Sequence, residues 1–434
     1  MKSNSLAKYL GFTCFGESHG KAMGIVIEDI KPNIEFPYEA INNALQKRRP
    51  NTKYGSQRRE EDVFHVLSGV YEGKTTGLPI CILVYNKDIK SKDYDKIKEL
   101  FRPGHADFSW YKKFKIIDWR GGGRASGRET ISRVIAGAIV DEYIKPIEID
   151  LYPIKIGQIN ANKLDKSYAN TNPMQWADNS NYDELIAYLD DIQAQGDSVG
   201  AVVYGEIKNI TAGLGDPVFD KLDANLAKAI MSIGAIKGIE FGDGFALASM
   251  LGSEANDQMN SNGFLTNHQG GILGGVSTGS SICFKIAIKP VPSISKPQKT
   301  VNINNNETEI EIIGRHDTCL IPRILPVIKS MIKLCLADAI AYQKLIEGEN
   351  QSLIDYREAI DKIDEDILLA LVRRMKISEQ IGIYKKQAHL AIENKEREQE
   401  LFNALESKAS LLGLEKEFVK SIWTKIIAES KRHQ

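Results

Sequence analysis

Long apolar runs are missing from this chain: nowhere do about eighteen apolar residues follow one another, as a membrane-spanning helix requires. The opening stretch, MKSNSLAKYLGFTCFGESHG, also lacks the continuous apolar core of an export signal. Cysteine is scarce, 5 in 434 residues, and Cys14, Cys81, Cys283, Cys319 and Cys335 form no CxxC pair. That spacing argues against a disulfide framework and a zinc site, and it points to a reducing compartment. Charge of one sign is lacking too. At a net charge of -1 the chain has none of the basic excess of a general nucleic-acid or membrane-surface binder. Nor does it carry a GxGxxG after a strand or a GxxxxGK[ST], so neither standard phosphate motif is announced. These absences predict a cytoplasmic protein without metal, nucleic-acid or membrane partners. Its 42% hydrophobic and 26% charged residues are those of an ordinary globular protein with room for two or three domains.

Glycine and arginine, by contrast, are concentrated. Residues 120–130 read RGGGRASGRET, in which three glycines can turn their N–H groups toward one anion. Ser126 and Glu129 have the spacing of a capping box, and Ile131, Val134, Ile135, Ala138 and Ile139 then recur at helical intervals. Glycine loop, Arg120, Arg124, Arg128 and a helix N-terminus are therefore expected to converge on an anionic ligand. A surface turn with solvated arginines is the alternative. Two histidines sit in glycine turns, His19 in GESHG and His105 in FRPGHAD, and both suit acid and base work if they converge. Lys47, Arg48, Arg49 and Lys53 form a cationic cluster after a helix expected over 38–46, and Asp317 follows Arg315 and His316. A helix is expected over 219–231 with Phe219 on its buried side. The glycine-rich stretches 232–245 and 267–275 imply that a flat ligand or a neighbouring backbone lies against them.

These residues resemble one family. GESHG, RRPNTKYG with QRRE, FRPGHAD, RGGGRASGRET, GDGF, NHQGGILGG, KPVPSI and GRHDTC occur in collinear order over about 6–345 and are similar to chorismate synthase. The resemblance implies an α+β domain, a βαβ sandwich that is commonly tetrameric. It implies an anti 1,4-elimination of phosphate from 5-enolpyruvylshikimate 3-phosphate that requires reduced FMN, with NADPH only as a reductant. It assigns Arg48, Arg49, Arg102, Arg128 and Arg323 to substrate, His19 to the departing phosphate, and His105 and Asp317 to proton handling at the flavin. Flavin contacts map onto Arg48, Arg124, Ala125, Ser126, Gly234, Ala235, Gly274, Lys289, Pro290, Val291, Pro292, Ser293 and Arg315. Lys53 takes the proposed NADP position.

Past a polar linker over 347–352, residues 353–434 carry a stripe of Ile360, Ile363, Ile367, Leu371, Met375, Ser378 and Ile381. This predicts a helix of about nine turns, roughly 50 Å long. A coiled-coil oligomerisation tail explains the stripe alone. Arg374 and Lys385, eleven residues apart, lie within about 20° on one face of such a helix. With Arg357, Arg397, Glu398, Ser430 and Gln434 they resemble the all-helical chorismate mutase family. That likeness implies a three-helix domain whose dimer rearranges chorismate to prephenate, with Arg357 supplied by the partner chain. The whole then reads as a synthase domain over 1–346 fused to a mutase domain over 353–434. A synthase with a non-catalytic helical tail, and a flavin oxidoreductase acting on another anion, are the competing readings.

Overall fold

Alternating apolar residues build two five-stranded sheets. The structure, a computed structural model, describes residues 4–50, 52–55, 60–87, 98–116, 118–312, 317–347, 353–391, 393–411 and 413–432. In the first sheet, β1 (Ser5–Leu6), β2 (Phe12–Gly16), β3 (Ala22–Ile27), β4 (Phe64–Ser68) and β5 (Ile80–Tyr85) lie in the order β1-β2-β3-β5-β4. Every neighbour is antiparallel, with Phe12 opposite Ile27 and Cys14 opposite Ile25. Phe12 and Cys14 face the core while Phe15 is exposed, the two-residue period of a sheet with one dry face.

The second sheet has β6 (Glu148–Ile156), β7 (Ile159–Asn160), β8 (Ala201–Lys208), β9 (Ile236–Phe241) and β10 (Ile282–Ile288), ordered β9-β10-β8-β6-β7 and again antiparallel. Helices fill the space between the sheets: α1 (Tyr38–Arg48), α3 (Thr130–Ile139) and α6 (Ile321–Glu347) share one core with strands of both. In α3 every residue except Arg133 is buried, and a helix apolar on all sides belongs inside. Gly137 lets α3 cross α6 closely, since a Cβ there would lie 2.4 Å from the Ser330 Cβ. The remaining helices of this unit that matter here are α2 (Asp107–Phe114), α4 (Tyr182–Ala194) and α5 (Leu222–Met231). Two sheets around a helical layer make the βαβ sandwich that the resemblance implies.

Two local expectations fail. The helix expected from 219 starts at Leu222, because a bridge between Asp216 and Asp220 folds the preceding residues into a tight loop. Phe219 sits on that loop and is 93% exposed rather than buried. The capping box is not formed either. Ser126 Oγ accepts the Arg128 N–H at 3.4 Å within a single 3-10 turn, while the Glu129 carboxylate turns to Arg133 at 2.9 Å. An i,i+4 ion pair thus outcompetes the reach back to the cap.

The chain divides into two compact units, Met1–Glu347 and Gly348–Gln434. The second contains α7 (Leu353–Gln387), α8 (Lys395–Leu411) and α9 (Lys416–Arg432), with α7 and α8 each packing on α9. Among the described residues, no helix is long and apolar enough to cross a membrane, and no cluster of three or more His, Cys, Asp or Glu is placed to hold a metal. All five cysteines are free thiols.

Candidate active site

The glycine loop before α3 organises one large cavity. Gly121, Gly122 and Gly123 have φ of 58°, 83° and 51°, a left-handed run that glycine alone adopts without strain. Their missing side chains make room for both histidines. A Cβ on Gly121 would lie 2.1 Å from His19 Cε1, and one on Gly122 would lie 2.9 Å from His105 Cε1. The two histidines therefore rest on consecutive residues of one loop. His19 is buried, with Ser18 Oγ 3.2 Å from its Nδ1, and the Ser18 N–H donates to the Gly123 carbonyl. His105 Nδ1 lies 3.4 Å from the Asp107 carboxylate and 3.3 Å from Arg102. The Arg102 guanidinium donates twice to Asp107, at 2.7 and 2.8 Å. Burial alone would raise the Asp107 pKa, but the hydrogen bonds from Arg102 and His105 hold it well below the usual carboxylate range.

The cavity has a volume of about 1610 Å³. Pockets for a single small ligand run to about 1,000 Å³, so two ligands have room here. Arg48, Arg49, Arg102, Arg124, Arg128 and Arg323 all line it, together with His19, His105 and Asp317. Arg48 stands at the end of α1 and is buried, which pushes its pKa down to about 10, with Asp62 opposing and Arg323 and Arg128 adding to the effect. It stays charged at neutral pH. Arg323 reaches Asp317 at 2.5 Å. Arg124 donates to the Cys14 carbonyl at 2.9 Å. Among the buried guanidinium nitrogens that find no hydrogen-bond acceptor among the described residues are Arg48 Nε, Arg124 Nη1 and Arg323 Nε. Buried donors of this kind call for an acceptor, and a multiply anionic ligand supplies one.

Of the other residues singled out from the sequence, Ala125, Ser126, Gly234, Ala235, Lys289, Val291, Pro292 and Ser293 line the same cavity. Ala235 takes a left-handed φ of 76°, unusual for alanine and concentrated at functional sites. Burial, with Lys237 nearby, lowers the Lys289 pKa, and its ammonium donates to the Gly104 carbonyl at 2.6 Å. Gly274 and Pro290 are not on the cavity wall, and Lys53 is held by Asp190 on α4 at 2.6 Å. Arg315 lies outside the described residues. Arg120 does not converge with its neighbours: it turns back to Asp118, at 2.8 and 2.9 Å, because the adjacent carboxylate is nearer than the cavity. The later glycine stretches pack on one another. A Cβ on Gly242 would lie 2.0 Å from the His268 carbonyl oxygen, so it is a neighbouring backbone that requires the glycine there. Sequence reasoning missed Glu60 and Asp62, whose carboxylates lie among the arginines. Three acids, Glu60, Glu61 and Asp62, do follow a cationic cluster in the sequence, but that pattern alone does not separate a buried network from a solvated face.

Comparisons with known proteins identify this arrangement. A model of the family described as chorismate synthase matches residues 10–341. The chain belongs to the chorismate synthase family. The chorismate synthase of Syntrophobacter fumaroxidans is 42% identical over 349 residues, 80% of this chain and 99% of that protein. That of Christiangramia forsetii is 45% identical over 344 residues, 78% of this chain and 97% of that one. A solved structure titled as the crystal structure of chorismate synthase superposes with a TM-score of 0.59 at 28% identity, covering 78% of this chain and 93% of its own. A second family, chorismate mutase type II, matches residues 356–434. The chain is thus a bifunctional shikimate-pathway enzyme, a synthase (lyase) followed by a mutase (isomerase).

In the mutase unit the Arg374 guanidinium, on α7, donates to Ser430 Oγ and lies 3.5 Å from the Ile426 carbonyl oxygen, both on α9. Ser430 is buried, and Lys385 is half-buried on the same helix as Arg374. Glu398 is paired with Lys431 at 2.8 Å. Arg397 is exposed and pairs with Glu400 within α8, so one chain does not bring it to Arg374. Arg357 falls within α7, and Gln434 lies outside the described residues.

Proposed function

We propose that the first unit, over 1–346, performs the FMNH2-dependent anti 1,4-elimination of phosphate from 5-enolpyruvylshikimate 3-phosphate, giving chorismate. The unit over 353–434 then rearranges chorismate to prephenate. The observation that carries the first half is the seating of His19 and His105 on Gly121 and Gly122 inside one arginine-lined cavity. The substrate bears a phosphate and two carboxylates, and Arg48, Arg49, Arg102, Arg128 and Arg323 offer the planar donor forks that such groups take in pairs. The buried, acceptor-less nitrogens of Arg48, Arg124 and Arg323 fit a flavin phosphate and a substrate held side by side. Reduced flavin, held by these residues, would supply an electron-rich ring and a basic N5 for the ring proton lost overall in the elimination.

The chain's own residues do the rest. His19, its Nδ1 beside Ser18, gives a proton to the leaving phosphate. Asp107 keeps His105 oriented, and Asp317, anchored by Arg323 on the wall of the same cavity, relays protons. Ala125, Ser126, Gly234, Ala235, Lys289, Val291, Pro292 and Ser293 form the flavin side of the cavity. NADPH enters this reading only as a reductant.

The mutase half needs no nucleophile. Arg374 and Lys385, with Arg357 of the partner subunit, grip a compact conformer of chorismate, and Lys385 places a cation at the breaking ether bond. Glu398, Arg397, Ser430 and Gln434 complete that pocket. The apolar face of α7 supports a dimer, since Ile360, Ile363 and Ile367 are each more than half exposed. We place the enzyme in the cytoplasm as a homotetramer through its synthase units. The test is an anaerobic assay with 5-enolpyruvylshikimate 3-phosphate and reduced FMN, watching chorismate and then prephenate form. Absence of chorismate would overturn the synthase reading, and accumulation of chorismate with no prephenate would leave the tail a dimerisation module.

A further inference from the structure

Asp62 has no place in the chemistry described so far, yet its carboxylate is the most enclosed acid of the cavity, with 1% of the side chain exposed. Its Oδ2 accepts from Arg48 Nη2 at 2.9 Å and its Oδ1 from Arg128 Nη1 at 3.0 Å. Arg49 Nε stands 4.0 Å from the same Oδ2, and Glu60, two residues earlier, pairs with the other nitrogen of Arg128. The arginines come from different elements, Arg48 from the end of α1 and Arg128 from the turn leading into α3. Like charges this close and this dry repel strongly, so something must set their spacing. The backbone of Asp62 is committed to that task, with a left-handed φ of 49°. Its pKa, which burial would raise, is held below the ordinary carboxylate value by Arg48 and Arg128, so the bridge is charged at neutral pH.

We propose that Asp62 is a positioning residue of the synthase site, a carboxylate bridge that holds the Arg48 and Arg128 forks at the separation needed to grip the anionic groups of the substrate. It touches no reacting atom and acts through the two arginines. The inference rests on the synthase reading given above. Two other roles make opposite predictions. A carboxylate that only balances charge would oppose anion binding, so its loss would tighten every anion. A carboxylate that only stabilises the fold would lower the melting temperature and the amount of active enzyme, leaving KM untouched.

The test uses the full-length chain, with Asp62→Asn removing the charge at constant size and Asp62→Glu keeping the charge but moving it by one methylene. In the elimination assay, kcat/KM is expected to fall about 100-fold for Asp62→Asn and about 10-fold for Asp62→Glu, mainly through KM, the cost of a misplacement of about 1 Å. Inhibition by inorganic phosphate, which one arginine alone can bind, is expected to be no weaker in Asp62→Asn than in wild type. Asp62→Glu with wild-type kcat/KM, or Asp62→Asn with a lowered KM, would overturn the proposal. So would losses confined to the melting temperature. Should Asp62→Asn not melt cooperatively, the Asp62→Glu comparison decides alone, because the two roles differ there as well. A wild-type enzyme that makes no chorismate would instead overturn the synthase reading, and mutase turnover in the same chain shows whether the protein is otherwise intact.

Discussion

At the scale of single residues, the absence of a side chain at position 121 does as much as the presence of one at position 19. Gly121→Ala would put a methyl group 2.1 Å from His19 in a backbone conformation that alanine resists. Its expected effect is a loss of about 100-fold in chorismate formation, since displacing a catalytic group by about 1 Å costs that much. Gly252→Ala, where a Cβ meets nothing within 4 Å, is expected to keep full turnover, and steady-state kinetics of the two variants checks both. The acids give a second expectation. Asp62 and Asp107 have folded-state pKa values below their unfolded value of about 4, so they stabilise the fold above that pH and cease to as pH falls through the folded values. Melting temperature should therefore drop steeply below about pH 4, and Asp107→Asn should flatten that drop. The two histidines and most of the arginines could be read from the sequence because glycine turns and charge clusters mark places where a backbone meets a ligand. Asp62 and Glu60 could not, because an acid beside arginines in sequence looks the same whether it is solvated or sits at the centre of a buried network. Arg120 misled for the same reason: its partner, Asp118, was only two residues away.

At the scale of elements, helices with strong apolar periods were legible to within a few residues, as α3 and α7 show. Helix starts were less so, since competition between a cap, an ion pair and a loop is settled by neighbours distant in sequence. Phe219 is the clear example. The long helix α7 raises the main expectation at this scale. Ser378 is buried, while Ile360, Ile363 and Ile367 at the other end of the stripe face solvent in a single chain. Ile363→Glu is expected to hold the mutase unit apart from its partner and to lower prephenate formation at least tenfold, while chorismate formation continues. Cross-linking between mutase units together with the two assays checks this, and full mutase turnover in a variant whose mutase units no longer cross-link would show that the exposed face has another use.

At the scale of the whole molecule, two compact units divide the chain near residue 347, and the residues proposed for each activity fall within one of them. Independent chemistry follows. His105→Ala is expected to abolish most phosphate release and leave chorismate rearrangement intact, and Lys385→Ala to do the reverse, both measured on the full chain. Loss of both activities in either variant would mean that the sites are coupled.

The position of α6 has a consequence for how the enzyme is made. Ile324, Ile328, Met331, Ile332 and Leu336 fill the centre of the sandwich, yet they are among the last residues of the first unit to leave the ribosome. The two sheets must wait, half-assembled, for a plug delivered at the end, and the growing mutase segment follows directly behind it. A chain halted at residue 320 should therefore aggregate in cells, and supplying 321–347 in the same polypeptide should be enough to restore a cooperative first unit.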